Sequence, residues 1–229
     1  MQDEKAETFL SFLSGLEGQR NCTHLFLLGD IFDLWIADHS FFVESFEPLV
    51  EQLARLHKEG VEVHYFEGNH DLYLRSFWQN HLGFVVHEGA THIALGSETL
   101  RLEHGDEIDR DDRGYLFLRW FLRLSVMRWV AHNLPQKFVY WLGQKSSQAS
   151  RHYTSNVKSI SEDKVRQKIR DHAHMTYERR PFDFMISGHL HVRDEHTWTG
   201  RDQKPVRSIN LGTWLKQPAY FYLGDSSSG

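Results

Sequence analysis

His24-Leu25-Phe26-Leu27-Leu28-Gly29-Asp30-Ile31-Phe32-Asp33 is the stretch that decides the fold. A short apolar run is stopped by Gly29-Asp30, which reads as a buried strand with a functional loop at its C-terminal end. The glycine lets the backbone turn sharply, so the side chain that follows can point into a crevice beyond the strand. The same arrangement recurs three times. Val61-Glu62-Val63-His64-Tyr65-Phe66 leads to Gly68-Asn69-His70-Asp71, the β-rich stretch 84–104 leads to His104-Gly105-Asp106, and Phe182-Asp183-Phe184-Met185-Ile186-Ser187 leads to Gly188-His189-Leu190-His191.

Between these strands the spacing predicts helices. Phe9, Leu10, Phe12, Leu13 and Leu16 fall at helical intervals within 5–18, before Gly18. Residues 41–58 form an amphipathic pattern closed by Gly60, residues 113–145 read as helical and aromatic, and 161–175 as a further helix. Gly96-Ser97 suits a hairpin turn, and strands are expected at 194–199, 205–211 and 219–223. Strands alternating with helices, then a β-rich end, predict one α/β domain over 1–229, with two mixed β-sheets packed face to face and helices outside. There is no internal repeat, and Ser226-Ser227-Ser228-Gly229 is the only low-complexity piece.

The 229 residues suffice for one domain with its own core. Apolar content of 40% and charged content of 25% are those of an ordinary soluble protein. No run of 18 uncharged apolar residues is present, so no bilayer-spanning helix is expected. Met1-Gln2-Asp3-Glu4-Lys5 is polar and gives no expectation of a secretory signal. Cys22 is the only cysteine, which excludes an internal disulfide and a multi-thiolate zinc site and fits a reducing cytosol. It is expected as a small buried hydrophobe.

The net charge of −5 is unevenly spread. Between Arg113 and Ser161 stand Arg113, Arg119, Arg123, Arg128, Lys137, Lys145, Arg151 and Lys158 with no Asp or Glu, which leaves the rest of the chain at −13. Such a split points to an anionic partner for this segment.

The four loops share a chemistry. They offer carboxylate, amide and imidazole, a mixed set that suits Mn, Fe or Zn. Each motif alone is a weak signal, since Gly-Asp is most often a turn; all four in order after strands are a strong one. GDxxD, GNHD, HGD and GHxH in this order resemble the motifs of the calcineurin-like metallophosphoesterases. That resemblance implies a four-layer sandwich of two mixed sheets flanked by helices, and two divalent cations. Asp30 would bridge the two ions, Asn69, His104 and His189 would complete the shell of one, and His191 would bind the other. Two cations about 4 Å apart clamp the attacking and leaving oxygens of a phosphoryl displacement and activate a bound water. His70 would act as general acid or charge stabiliser, with the Asp33 carboxylate fixing its tautomer. The plainer reading of His70 is a loop histidine, and Asp71 and Asp106 are expected to hydrogen-bond loop backbone.

Within that superfamily the chain is most similar to the UDP-2,3-diacylglucosamine hydrolases of lipid A synthesis. Leu27-Leu28-Gly29-Asp30-Ile31-Phe32-Asp33-Leu34-Trp35-Ile36 resembles their segment after the second strand, and His104-Gly105-Asp106 with Asp111-Asp112-Arg113-Gly114-Tyr115 resembles their HGD…DD-x-GY stretch. The resemblance implies cleavage of a nucleotide-lipid pyrophosphate at the cytoplasmic membrane face. It also implies a lipid-binding lid over about 113–160, and substrate contacts at Asp112, with Ser150, Arg151 and Lys158 as further candidates. Two departures stand out. These hydrolases usually carry Arg where His70 stands. They also open with a strand ending in Asp-x-His, and no such motif precedes Asp30. That strand is expected just upstream of Met1, the alternatives being a segment missing from the sequence as given or a natively reduced site with one metal or none.

The lid stretch speaks for lipid independently. Tyr115, Phe117, Trp120, Phe121, Trp129, Phe138, Tyr140 and Trp141 are interleaved with Arg and Lys and no acid, as in helices that lie in the headgroup plane of anionic membranes. An ordinary helical cap with a solvated basic face is the plainer reading. Single-stranded nucleic acid is a less fitting partner for one basic stripe on an acidic chain. Two rival functions remain: a phosphoesterase acting on a soluble nucleotide or phosphoprotein, and a degenerate, non-catalytic module that binds anionic lipid.

Overall fold

Parallel pairing organises the chain on both sides of its midpoint. The structure is a computed structural model that describes residues 2–19, 21–142, 145, 161–214 and 216–224. It is a mixed α/β fold with two compact units, Met1–Glu88 with Asp112–Val157, and Gly89–Asp111 with Lys158–Gly229.

In the first unit, β1 (His24–Leu27), β3 (Glu62–Phe66) and β5 (Val85–His87) form a parallel sheet in the order β1-β3-β5. Alternation puts Leu25, Leu27, Val63, Tyr65 and Val86 on one face, where they join Leu13 of α1 (Gln2–Ser14) and Val50, Leu53 and Leu56 of α3 (Glu47–Lys58) in one core. An aromatic group completes that core: Trp35 lies 4.8 Å from Phe32 and 5.0 Å from Trp78, ring centre to ring centre. The helix expected over 41–58 is two helices, α2 (Ser40–Ser45) and α3, broken at Phe46. Pro48 is the cause: it sits in the first turn of α3, and its ring excludes a continuous helix through the preceding turn. Two further strands, β2 (Trp35–Ile36) and β4 (Asp71–Leu72), form a two-residue parallel ribbon that the sequence pattern did not show.

The expected helical insertion consists of α4 (Arg113–Leu122), α5 (Ser125–His132) and a helix described over 136–142, α6. Asn133 and Pro135 separate the last two, and proline is suited to the start of a helix. Ala131 and Val139 are buried. Phe117, Trp120 and Trp129 are 63%, 57% and 66% exposed. Two of the segment's eight basic residues face the first unit's own acids. Arg128 makes a forked pair with Glu88 at 3.1 and 3.0 Å, and Arg123 reaches the Glu88 carbonyl and, at 3.6 Å, the Glu67 carboxylate. Glu67 is buried, which pushes its carboxyl up from the usual range, and it accepts from the Leu74 N–H at 2.9 Å. The basic stripe is therefore partly an internal anchor.

In the second unit, β6 (Thr91–Leu95) and β7 (Glu98–Leu102) form the expected hairpin about Gly96. They belong to a five-stranded mixed sheet with β8 (Phe184–Ser187), β9 (Arg193–Thr199) and β10 (Pro205–Leu211), in the order β6-β7-β8-β10-β9. Ile169, Ala173 and Tyr177 of α7 (Glu162–Arg179) pack with Ile108, Phe182, Met185 and Val206. The strand expected at 219–223 is absent, since that stretch has no regular structure. Instead its Phe221 ring packs 5.7 Å from Phe184 and takes the Arg207 guanidinium at 5.8 Å, side-chain contacts that need no strand ladder. Among the described residues no helix is long and apolar enough to cross a membrane.

Glu88 has a carboxyl held below the usual range, first by its hydrogen bond from Arg128 and further by the charges of Arg128, Arg75 and Arg123. A depressed folded value means that its contribution is present above the unfolded value and is lost as pH falls through the folded one. Below about pH 4.5, amide protection in α5 is expected to fall ahead of protection in β3. Glu88→Gln is expected to lower it already at neutral pH, as hydrogen exchange can read.

Candidate metal centre

Each unit brings two of the four motifs together at the C-terminal ends of adjacent parallel strands. In the first unit β1 delivers Asp30 and β3 delivers Asn69 and His70. The two loops are tied directly. The His70 N–H donates to Asp30 Oδ1 at 2.9 Å, the Trp35 N–H to the His70 carbonyl at 2.8 Å, and the Ala37 N–H to the Leu72 carbonyl at 3.1 Å.

Asp71 has no solvent exposure. Its carboxylate accepts from the N–H groups of Ile31 (3.0 Å) and Gly68 (2.6 Å) and from the Tyr65 hydroxyl (2.6 Å). Three donors offset the cost of burying a charge. Tyr65 is a dependable donor, because burial and the charge of Asp71 push its hydroxyl well above the usual value. Gly68 fits only without a side chain: a Cβ there would land on the Asp30 carboxylate and 2.7 Å from Asp71 Oδ1.

His70 Nδ1 lies 3.0 Å from the main-chain carbonyl of Asp33. The structure thus puts the carbonyl of Asp33, where its carboxylate was expected, against the imidazole. A carbonyl can only accept, so Nδ1 carries the proton of the neutral ring and Nε2 is its unprotonated nitrogen.

In the second unit β7 leads to His104 and β8 to His189, with Leu102 opposite Ile186. The Glu103 N–H donates to the Ile186 carbonyl at 3.2 Å and the Gly188 N–H to the His104 carbonyl at 2.9 Å. Gly105 has φ +107°, and a Cβ on it would meet the Gly188 carbonyl oxygen at 2.8 Å. The buried amide of Asn210 donates to that carbonyl at 2.8 Å and to Ser187 Oγ at 2.9 Å. Asn210 has no signal in the sequence, since a lone Asn in a strand carries no motif.

His104 Nε2 and His189 Nδ1 face one another at 3.1 Å. Two nitrogens each about 2.1 Å from one cation stand about 3.0 Å apart at a right angle and about 3.4 Å apart at the tetrahedral angle, so the 3.1 Å pair fits two ligands of one ion. Backbone strain marks the same loops. Asp30 (φ 53°), His189 (φ 64°) and His191 (φ 54°) are three of the six non-glycine residues with positive φ among those described. Non-glycine residues in this region cost about 1–3 kcal/mol each and cluster at functional sites.

Asp112 caps α4, its Oδ1 accepting from the Tyr115 N–H at 2.9 Å. Ser150, Arg151 and Lys158 lie outside the described residues.

A UDP-2,3-diacylglucosamine hydrolase of Pseudomonas paraeruginosa is 30% identical to the chain over 215 residues, covering 91% of this chain and 84% of that protein. The chain belongs to the UDP-2,3-diacylglucosamine hydrolase family. Proteins of the same name from Pseudomonas entomophila and Photorhabdus laumondii are 28% and 27% identical, over 93% and 96% of this chain and 87% and 88% of theirs. No family model matches the chain. A solved Vps29 mutant from Entamoeba histolytica shows a loose likeness, with TM-score 0.39 and 14% identity over 96% of this chain and 69% of that one. As a member of this hydrolase family, the chain presents its conspicuous Asp, Asn and His side chains at strand ends.

Two outcomes test this account of the loops. Asp71→Asn replaces one acceptor oxygen by an NH₂ among three donors, and should destabilise the first unit by about 2–3 kcal/mol in urea unfolding. Gly68→Ala should displace Asp30 and crowd Asp71, lowering the stability of the first unit and weakening Mn²⁺ binding at least about tenfold by equilibrium dialysis.

Proposed function

We propose that the chain hydrolyses the pyrophosphate bond of a UDP-diacylglucosamine-like nucleotide lipid, releasing UMP and an acylated sugar phosphate. In this reading Asp30, Asn69, His104, His189 and His191 hold divalent cations, with manganese first and iron or zinc also suited to the ligand set. The observation that carries it is the facing pair His104 Nε2 and His189 Nδ1 at 3.1 Å, on loops that follow adjacent parallel strands. The names of the relatives support the choice of substrate.

Bound cations would neutralise charge on the phosphates and ease the loss of a proton from the attacking water. The chain's own residues do the rest. Asp30 is held by the His70 N–H, so its carboxylate cannot swing away from the GNHD loop. His70, with Nδ1–H committed to the Asp33 carbonyl, presents Nε2, which in the imidazolium form would give its own proton to the departing oxygen and leave the neutral ring behind. Asp112, Ser150, Arg151 and Lys158 are our candidates for substrate contact.

The exposed aromatic rings of α4 and α5, beside Arg113 and Arg119, support peripheral attachment to an anionic membrane on its cytoplasmic side. One observation favours the second reading, a phosphoesterase of soluble substrates: His70 stands where these hydrolases usually carry Arg.

The test is release of UMP from UDP-2,3-diacylglucosamine in mixed micelles with Mn²⁺. Turnover that is lost with chelator, and that falls about 10²-fold or more in kcat for His70→Ala, is the expected result. Turnover of a soluble phosphodiester, with none of the lipid, would favour the second reading. Binding to anionic vesicles without turnover of either would favour a lipid-binding module.

A further inference from the structure

A second group of metal-ligating side chains lies at the opposite end of the β1–β3 pair from the motif loops. The parallel register sets His24, the first residue of β1, beside Glu62, the first of β3, and Phe26 beside His64. Side chains two apart on a strand share a face, so His24, Glu62 and His64 project from the same side of the sheet. The donor atoms of all three lie within 4.8 Å of one another. His24 Nε2 is 3.7 Å from one oxygen of Glu62, and His64 Nε2 is 3.0 Å from the other. Ligand atoms about 2.0–2.1 Å from a tetrahedral zinc ion stand about 3.3 Å apart, between the two observed values.

Both imidazoles are turned the same way. His24 Nδ1 is 2.9 Å from Thr23 Oγ1, and His64 Nδ1 is 2.9 Å from His87 Nε2. Each Nδ1 is engaged by a neighbour, and each Nε2 is left toward the carboxylate. Metal-binding histidines are fixed in this manner, with one ring nitrogen occupied and the other offered to the ion. His64 is buried and its Nε2 faces the Glu62 carboxylate, while His24 and Glu62 are partly exposed, so an ion has both a rigid ligand and a way in.

We propose that His24, Glu62 and His64 form a zinc-type site, separate from the motif loops, with a solvent molecule as fourth ligand. Two of its ligands flank the pairing of β1 with β3. β1 has only four residues and stands at the end of the order β1-β3-β5. A metal bound across the two strands clips this short strand in place, and binding energy of this kind adds directly to folding stability. The role is structural, since the site shares no residue with the loops that carry the proposed hydrolysis.

The experiment is titration of the whole chain with Zn²⁺ alone, following stoichiometry by calorimetry and the melting temperature by fluorescence. His24→Gln/Glu62→Gln alters only partly exposed side chains and is expected to bind one Zn²⁺ fewer than the wild-type chain, with a smaller Zn²⁺-induced rise in melting temperature and unchanged UMP release in Mn²⁺. Asp30→Asn/His189→Asn is expected to keep that Zn²⁺ equivalent and the rise in melting temperature. Thr23→Val, which removes only the partner of His24 Nδ1, should weaken the same equivalent about tenfold. Equal stoichiometry and affinity in His24→Gln/Glu62→Gln and wild type would overturn the proposal and leave the three residues as an ion pair. That result would not touch the proposed hydrolysis, which UMP release reads separately.

Discussion

A buried carboxylate holds the first unit's loops in place. Asp71, the first residue of β4, has no exposure, and its two oxygens collect donors from the Asp30 loop, from the loop that precedes it and from Tyr65 of β3. A charge in that position is tolerated only if its donors are fixed, and fixing them fixes Asp30 and His70 as well. The second unit solves the same problem with neutral groups: the Gly188 N–H donates to the His104 carbonyl, and the Asn210 amide to the Gly188 carbonyl. In both units the parallel register supplies the approximate placement, and buried hydrogen bonds supply the precision that metal ligands require.

The strained backbone follows from the same demand. Asp30, His189 and His191 adopt left-handed φ although none is glycine. A loop that must turn abruptly at a strand end, and still aim a large polar side chain, leaves few conformations open. The glycines beside them, Gly68 and Gly105, sit where a neighbouring loop approaches too closely for any Cβ. The cost of this arrangement is met by the cores beneath it, in particular the tightly packed Trp35, Trp78 and Phe32 group.

Much of this was legible in the sequence. Apolar runs ending in Gly-Asp, Gly-Asn-His-Asp and Gly-His-Leu-His signalled buried strands with polar ends, because periodicity and turn residues are local properties. Asp71 as a binder of loop backbone was also readable, since a loop Asp beside glycine commonly plays that part. Other features were not local. The break at Phe46 needed weight on Pro48 against a strong apolar pattern. The ribbon of β2 and β4 is too short to leave a pattern. Arg123 and Arg128 read as part of a basic stripe, and only the fold sets them against Glu67 and Glu88. The stretch 219–223 looked like a strand, yet its phenylalanine packs on a neighbouring ring and an arginine. Asn210 and the His24, Glu62 and His64 group depend on strand register, which no single segment records.

The central claim is that the motif loops hold the cations of a hydrolytic centre. Mn²⁺ content per chain, measured by metal analysis after equilibrium dialysis, tests it most directly in the wild-type chain beside Asp30→Asn and His104→Asn. The account predicts bound Mn²⁺ in the wild type and a loss of at least one equivalent in each variant. Equal Mn²⁺ content in all three, or none in the wild type, would contradict it.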